Sequence, residues 1–392
     1  MKKSLVALAV LGAFTSVASA QSSVTLYGRV DQNVTLQDPG KNALISSGNR
    51  DGSLITKLND GGTNGFGSSR IGFKGTEDLG NGLKAFFQLE AGVTPDTGAA
   101  GSGSSFFSRG AYLGLAHKTL GEIRLGRQET LSRENNVKIN DISGENSLTI
   151  TETLQDSADK NTRPLFQNVG ARINNGVRYT TPSFAGIQAS AIYGLGEREK
   201  TVATGTNAGI TRVANYRGIA VVYTGGPLAL NVIYEDLSGG VVARSKDYNN
   251  VLTVGGSYDF GFAKVAAAYQ DTNNFGPQTA NLPDTAAGTS IPNIFRKGVD
   301  VEAWNIGVAV PFNAFTFRAQ YTGSTIDTKS GVAASALAPN KSSLDQHKYG
   351  ASLQYALSKR TSVYASATQR GGDDKDFFVR KSEYGIGVGH NF

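Results

Sequence analysis

The stretch Phe315-Thr316-Phe317-Arg318-Ala319-Gln320-Tyr321-Thr322 alternates apolar and polar residues without a break. Phe315, Phe317, Ala319 and Tyr321 share one face, and Thr316, Arg318, Gln320 and Thr322 share the other. Successive side chains of a strand point to opposite faces, so a period of two reads as strand and not as helix. The pattern recurs. Tyr349, Ala351, Leu353, Tyr355 and Leu357 alternate with Lys348, Gly350, Ser352 and Gln354. Leu228, Leu230, Val232 and Tyr234 alternate with Asn231 and Glu235, and Ala263, Val265, Ala267 and Tyr269 with Lys264 and Gln270. Segments of about ten residues with one face fit for lipid and one carrying charge are the pattern of transmembrane β-strands. A soluble sandwich also alternates, with its apolar face on a shared core.

Three further features favour a membrane-spanning barrel. Aromatic residues recur near segment ends, at Tyr179, Tyr193, Tyr223, Tyr234, Tyr269 and Tyr321, where interfacial girdles lie. Connections alternate between short and long. The short ones are expected at Glu77–Asn81, Lys118–Gly121, Ser183–Gly186, Gly225–Pro227, Phe260–Gly261, Pro311–Ala314 and Ser358–Thr361. The long ones are expected at 36–66, 93–104, 130–170, 196–214, 238–247, 273–298, 325–345 and 371–378. Short periplasmic turns and long outer loops are the barrel arrangement. Eight long and seven short connections separate sixteen strands, an even number that puts both termini on one side. The expectation is an all-β, 16-stranded antiparallel transmembrane β-barrel.

The ends and composition agree. Lys2 and Lys3, the apolar run Leu5–Phe14 and Ala18-Ser19-Ala20 follow the grammar of a secretory signal, with the barrel over 21–392. The ten residues of that run fall well short of the ~20 that a helical span needs. The 392 residues include 49 Gly, 34 Tyr or Phe, 10 Pro, 1 Met and no Cys. Glycine and aromatics suit strands and tight turns, and without cysteine there is no disulfide framework or thiolate metal site. The formal net charge of +6 is dispersed without a Lys/Arg run, so no nucleic-acid partner is expected.

Several motifs, in order along the whole chain, resemble Gram-negative trimeric general porins, especially those of β-proteobacteria. They are Ser23-Val24-Thr25-Leu26-Tyr27-Gly28-Arg29-Val30-Asp31, the run Ser69–Gly80 followed by Gly82-Leu83-Lys84-Ala85, and Arg124-Leu125-Gly126-Arg127-Gln128. Asn174 to Gly186, Leu357-Ser358-Lys359-Arg360-Thr361 and the ending Gly389-His390-Asn391-Phe392 complete the set. The resemblance implies a homotrimer integral to the outer membrane, among lipid and lipopolysaccharide. Its water-filled channel would pass ions and small hydrophilic solutes by passive diffusion. The terminal Phe392, in the alternating run Tyr384, Ile386, Val388, His390, resembles the signal read by the barrel assembly machinery.

The resemblance further implies that the third outer loop, about 130–170, folds inward and narrows the pore. That loop carries Asp141, Glu145, Glu152, Asp156 and Asp159. The matching basic wall is Arg29, Arg70, Arg127 and Arg172, with Arg109 as a fifth position. Alternation tests the wall independently. Val24, Leu26 and Val30 facing lipid put Arg29 in the lumen; Ile71 and Phe73 do the same for Arg70; Ile173, Val177 and Tyr179 do so for Arg172 and Arg178. Arg127 shares parity with Ile123 and Leu125, so either a bulge precedes it or Arg124 and Gln128 line the wall instead. Facing basic and acidic groups would set a transverse field across a narrow aqueous gap. The arginine count points to a weak anion preference, against which the loop acids act.

Other function classes fit less well. An enzyme needs a nucleophile, a base and an orienting acid, and only His117, His347 and His390 are available, on separate expected strands. No nucleophile elbow, Walker loop or His-Glu-x-x-His motif occurs, the glycine clusters Asn64–Gly67 and Gly101–Gly103 fall in expected outer loops, and no cofactor or metal is called for. A soluble periplasmic glycan-binding β-protein would need an apolar core and a polar exterior. A substrate-specific outer-membrane channel would use the same barrel.

Overall fold

The computed structural model describes residues 23–38, 54–61, 66–101, 105–142, 171–195, 215–238, 249–275, 299–328, 343–373 and 381–392. The signal segment expected over 1–20 lies outside them. The strands are β1 (Ser23–Asp38), β2 in two pieces (Ile55–Asp60 and Arg70–Gly80), β3 (Leu83–Thr94), β4 (Gly110–His117) and β5 (Gly121–Glu129). They continue as β6 (Arg172–Thr180), β7 (Ile187–Gly194), β8 (Asn215–Gly225), β9 (Leu228–Ser238), β10 (Asn249–Asp259) and β11 (Lys264–Phe275). The last are β12 (Val299–Phe312), β13 (Phe315–Thr328), β14 (Ser343–Ala356), β15 (Thr361–Gly372) and β16 (Ser382–Asn391). Each pairs antiparallel with its sequence neighbours, and β1 pairs with β16 over Arg29–Asp38, so the sixteen strands close into a barrel without a free edge.

Both pieces of β2 pair with β1, Ile55–Asp60 opposite Gln32–Gln37 and Arg70–Thr76 opposite Ser23–Arg29. The expected 36–66 connection therefore hides half a strand. Ile55-Thr56-Lys57-Leu58-Asn59-Asp60 has too few apolar residues to announce itself. A second departure is the turn expected at Glu77–Asn81. The strand runs on to Gly80, and the turn is Asn81-Gly82 with φ of 52° and 82°, the positive pair that Asn-Gly adopts in a two-residue hairpin. The 93–104 connection contains a bridge between Val93-Thr94 and Ala99-Ala100.

Polarity across the wall is inverted relative to a soluble protein. On β1, Val30 and Val34 are 44% and 46% exposed, while Asp31, Asn33, Thr35 and Gln37 are all at 1% or less. Phe317 and Tyr321 are exposed on β13 while Gln320 and Thr322 are buried, as the alternation predicts. An apolar exterior around a polar interior excludes the sandwich reading and fits a barrel in lipid. Aromatic residues on the outer face mark two rims. Phe315 packs on Tyr355 at 4.7 Å near the short-turn end, and Tyr321, His347 and Tyr349 stack toward the other.

Candidate functional site: the lumen wall and two inward segments

The described start of the 130–170 connection runs along the inner wall. A short helix α1 (Leu131–Asn135) leads into a π-helical turn Asn136–Asn140. The Thr130 hydroxyl caps α1 by accepting from the Arg133 amide. Leu131 joins Ile173, Ile192, Tyr216, Ala220, Ile233 and Val251 in an apolar cluster inside the barrel. The Glu235 carboxylate accepts from the Ser132 amide at 2.8 Å and from the Tyr216 hydroxyl, which itself accepts from the Leu131 amide at 3.2 Å. Farther on, the Asn140 and Asn231 side chains exchange hydrogen bonds, and Asn305 donates to the Asn140 carbonyl at 3.0 Å. Close approach needs glycine on the wall. A Cβ at Gly255 would overlap the Asn140 side chain, and one at Gly307 would meet Ile142 at 2.6 Å.

Each expected arginine of the wall has a defined setting. Arg29 donates to Asp31 at 2.7 Å, and Asp31 also accepts from Tyr364. Arg70 lies opposite Arg29 across the β1–β2 pair. Arg109 pairs with Glu90 at 2.7 Å. Arg172 donates to the Arg109 carbonyl at 2.8 Å and to Glu129 at 3.2 Å. Arg178 is buried and pairs with Glu134 of α1. Arg109, Arg127 and Arg172 line one polar cavity of about 330 Å3 together with Asp60, Ser69 and Ser108.

Arg127 reaches this cavity through a bulge. The β5–β6 register shifts between Gly126 and Gln128, so Asn174 and Asn175 face a single residue, with φ of 51° at Asn175 and 126° at Gly126. There Arg127 donates to the Ser108 carbonyl at 2.7 Å and to the Asn174 side chain at 2.6 Å. The two residues of the alternative lining are placed as well. Gln128 is buried against the Gly176 carbonyl, and Arg124 lies over the Tyr112 ring at 4.5 Å, paired with Glu122. The same bulge corrects one expectation. Ile173 does not face lipid but is 5% exposed and packs inward on Leu131, so strict alternation from Ile173 does not orient Arg172.

Of the expected loop acids, Asp141 is buried at the end of the π-helical turn, while Glu145, Glu152, Asp156 and Asp159 lie outside the described residues. The acids that pair with wall arginines include Asp31, Glu90, Glu129 and Glu134. Three of these four are on the strands, and only Glu134 is on the loop. Burial alone would raise the Glu134 carboxyl, but Arg178 and Lys138 beside it bring it down to about 2. Sequence reasoning that seeks acids on the loop alone misses the strand carboxylates. Asp31 shares parity with Arg29, and Glu90 with Gln88, which signals an inward position.

Known proteins share the sequence family and the barrel. The family model described as Gram-negative porin matches residues 7–375. An outer membrane porin protein of Bordetella pertussis is 30% identical over 423 residues, covering 100% of both chains. Outer membrane porin protein 32 of Delftia acidovorans is 36% identical over 279 residues, covering 69% of this chain and 70% of its own. The solved anion-selective porin from Comamonas acidovorans superposes with a TM-score of 0.66 at 25% identity, covering 95% of this chain and 100% of that one. An inside-out sixteen-stranded wall, an arginine-lined lumen and a match from residue 7 to residue 375 lead to one assignment: the chain belongs to the Gram-negative porin family, as a β-barrel of the outer membrane whose lumen is a diffusion channel.

Proposed function

We propose that this channel has a weak anion preference, set where the 130–170 loop folds inward and narrows the lumen. Arg29, Arg70, Arg109, Arg127, Arg172 and Arg178 would form its basic wall, and Asp141, Glu145, Glu152 and Asp156 the facing acidic set. The single observation that carries this reading is the convergence of Arg109, Arg127 and Arg172 on one polar cavity. Three cationic groups in a narrow gap with low-dielectric walls raise the local concentration of anions. Glu90 and Glu129 each neutralise part of that charge through their ion pairs, which is why the preference is weak. The relative from Comamonas acidovorans is described as anion-selective, in keeping with the sign.

The functional unit we propose is a homotrimer among outer-membrane lipid and lipopolysaccharide, inserted by the assembly machinery through the strand that ends at Phe392. Its cargo is ions and small hydrophilic solutes, without catalysis. Single-channel recording in a planar bilayer under a salt gradient tests all of this. Conductance in groups of three steps with an anion-side reversal potential is the expected result. A cation-side potential would reject the arginine wall as the dominant element. Saturable block by one solute would favour the substrate-specific alternative.

A further inference from the structure

Between the two pieces of β2 the described residues are Gly61 and Phe66–Ser69. Both ends of this interruption are tied to one residue of β1. The Gly61 amide donates to the Asp31 carbonyl at 2.8 Å, and the Ser69 hydroxyl bonds both the Asp31 amide and its carbonyl, at 3.0 and 3.1 Å. The Gly67 amide donates to the Gly61 carbonyl at 3.1 Å, which cinches the interruption at its base. No Cβ fits at Gly61, where it would overlap Asp31.

Phe66 leaves the wall on the lumen side. It is 8% exposed, with its ring centroid 4.3 Å from that of Tyr364 and the Arg318 guanidinium 5.4 Å above it. Both partners point inward, because Val363 and Phe317, next to them in sequence, are exposed on the outer face. Tyr364 is on β15 and Arg318 on β13, so a residue carried between the halves of β2 touches strands three and five places away around the barrel. Strands are spaced ~4.8 Å apart, so this bridges an arc of about 24 Å. The contacts of α1 and the π-helical turn fall on the remaining wall, from Arg178 on β6 to Asn305 on β12.

We infer that Phe66 is a second pore-narrowing element, an aromatic anchor that holds the Phe66–Ser69 segment across the β13–β2 sector of the lumen. The inward start of the long loop occupies the opposite sector. Solute is thereby confined to the wall that carries Arg109, Arg127 and Arg172. The anchor is hydrophobic and cation–π in character, stronger in a desolvated contact than at an exposed one, so it holds at ionic strengths that screen exposed ion pairs.

The inference rests on the channel reading, and single-channel conductance separates the two. Phe66→Ala is expected to raise conductance, on the order of 1.5-fold, because the narrowest section governs flow through a water-filled pore. Phe66→Leu, which keeps most of the buried volume, is expected to stay near the wild-type value. Heat-resistant migration of each variant on a gel confirms a folded barrel. Unchanged conductance from folded Phe66→Ala channels would overturn the inference. A wild-type protein that passes no current would overturn the channel reading, and this inference with it. If Phe66→Ala does not fold, Ser68→Cys in this cysteine-free chain replaces it. A bulky thiol reagent then lowers conductance stepwise if the segment lies in the pore, and an unaltered current after complete labelling overturns the inference.

Discussion

Gly28 and Phe392 close the barrel by exchanging backbone hydrogen bonds, each amide donating to the other's carbonyl at 3.1 Å. A Cβ on Gly28 would overlap the Phe392 ring, so the ring sits in the space that glycine leaves. Neighbours of the same parity, Val24, Leu26 and Val30, are exposed on the outer face. The Phe392 side chain therefore covers a gap in β1 on the lipid side. An aromatic ring laid across a strand glycine is a recognised device for fixing register.

Gly28→Val is expected to displace that ring and cost about 1–3 kcal/mol, the usual penalty of overpacking. The observable is the temperature at which the folded barrel loses its fast migration on a detergent gel, which should fall. Phe392→Ala in the Gly28→Val background removes the clash with the ring and leaves the one with the Arg70 carbonyl, so the pair should cost less than the sum of the two single changes. Additive losses would show that ring and glycine act independently.

The strand count is legible in the sequence because period-two alternation survives wherever both faces have distinct solvents, as on Phe315–Thr322 and Tyr349–Leu357. Alternation misleads where local geometry breaks the period. Asn174-Asn175 inserts a residue that turns Ile173 inward and lets Arg127 reach the lumen cavity. Two consecutive asparagines permit a bulge but do not announce one. Ile55–Asp60 reads as loop because it offers only Ile55 and Leu58 as apolar residues, and Phe66 escapes notice because a single aromatic in a Gly-rich run has no periodicity. Parity together with the family resemblance points to the wall arginines. Their acidic partners Asp31 and Glu90 carry the same parity signal, which attention to the loop acids obscures.

Glu235 ties α1 to the wall. It holds the Ser132 amide and the Tyr216 hydroxyl in a fully buried site. Glu235→Ala leaves both donors without this acceptor, at a cost of about 1–3 kcal/mol for each buried group left unsatisfied. Glu235→Gln retains an acceptor oxygen and should cost less. The expected phenotype of the alanine variant is a noisier open channel and faster proteolysis between β5 and β6. Equal behaviour of the two variants would remove Glu235 from the anchoring of α1.

Glu134 adds a pH-dependent contact. Its carboxyl is held at about 2 in the folded protein against 4.5 unperturbed, by Arg178 and Lys138 working against the effect of burial. A depressed carboxyl contributes stability that is complete above its unfolded value and is lost as pH falls toward its folded value. The α1 contact with Arg178 should thus persist at neutral pH, weaken below 4.5 and be gone below about 2. Recording current noise from pH 7 downward gives the profile. Glu134→Gln should show the acidic behaviour already at pH 7, and a flat profile for both proteins would exclude this contact as the anchor.

Arg109, Arg127 and Arg172 meet in one cavity, and the anion preference proposed for the channel makes them the first residues to test. Glu90 holds Arg109 and Glu129 holds Arg172, so cation and carboxylate sit side by side on the same wall. A paired charge is offset but not removed, and deleting one partner leaves the other to act on the lumen at full strength. Arg109→Gln is therefore expected to move the reversal potential under a salt gradient toward the cation side, because it removes a positive charge and leaves Glu90 uncompensated. Glu90→Gln should move it the opposite way, by releasing Arg109. The double variant deletes a cation and an anion together and should return close to the wild-type potential. Arg127→Gln removes one positive charge from the same cavity and should shift the potential toward the cation side as well. All of these shifts should shrink as salt rises from 0.1 M to 1 M, where the screening length falls from about 10 Å to about 3 Å. A reversal potential indifferent to every one of these substitutions would assign selectivity to residues outside this cavity.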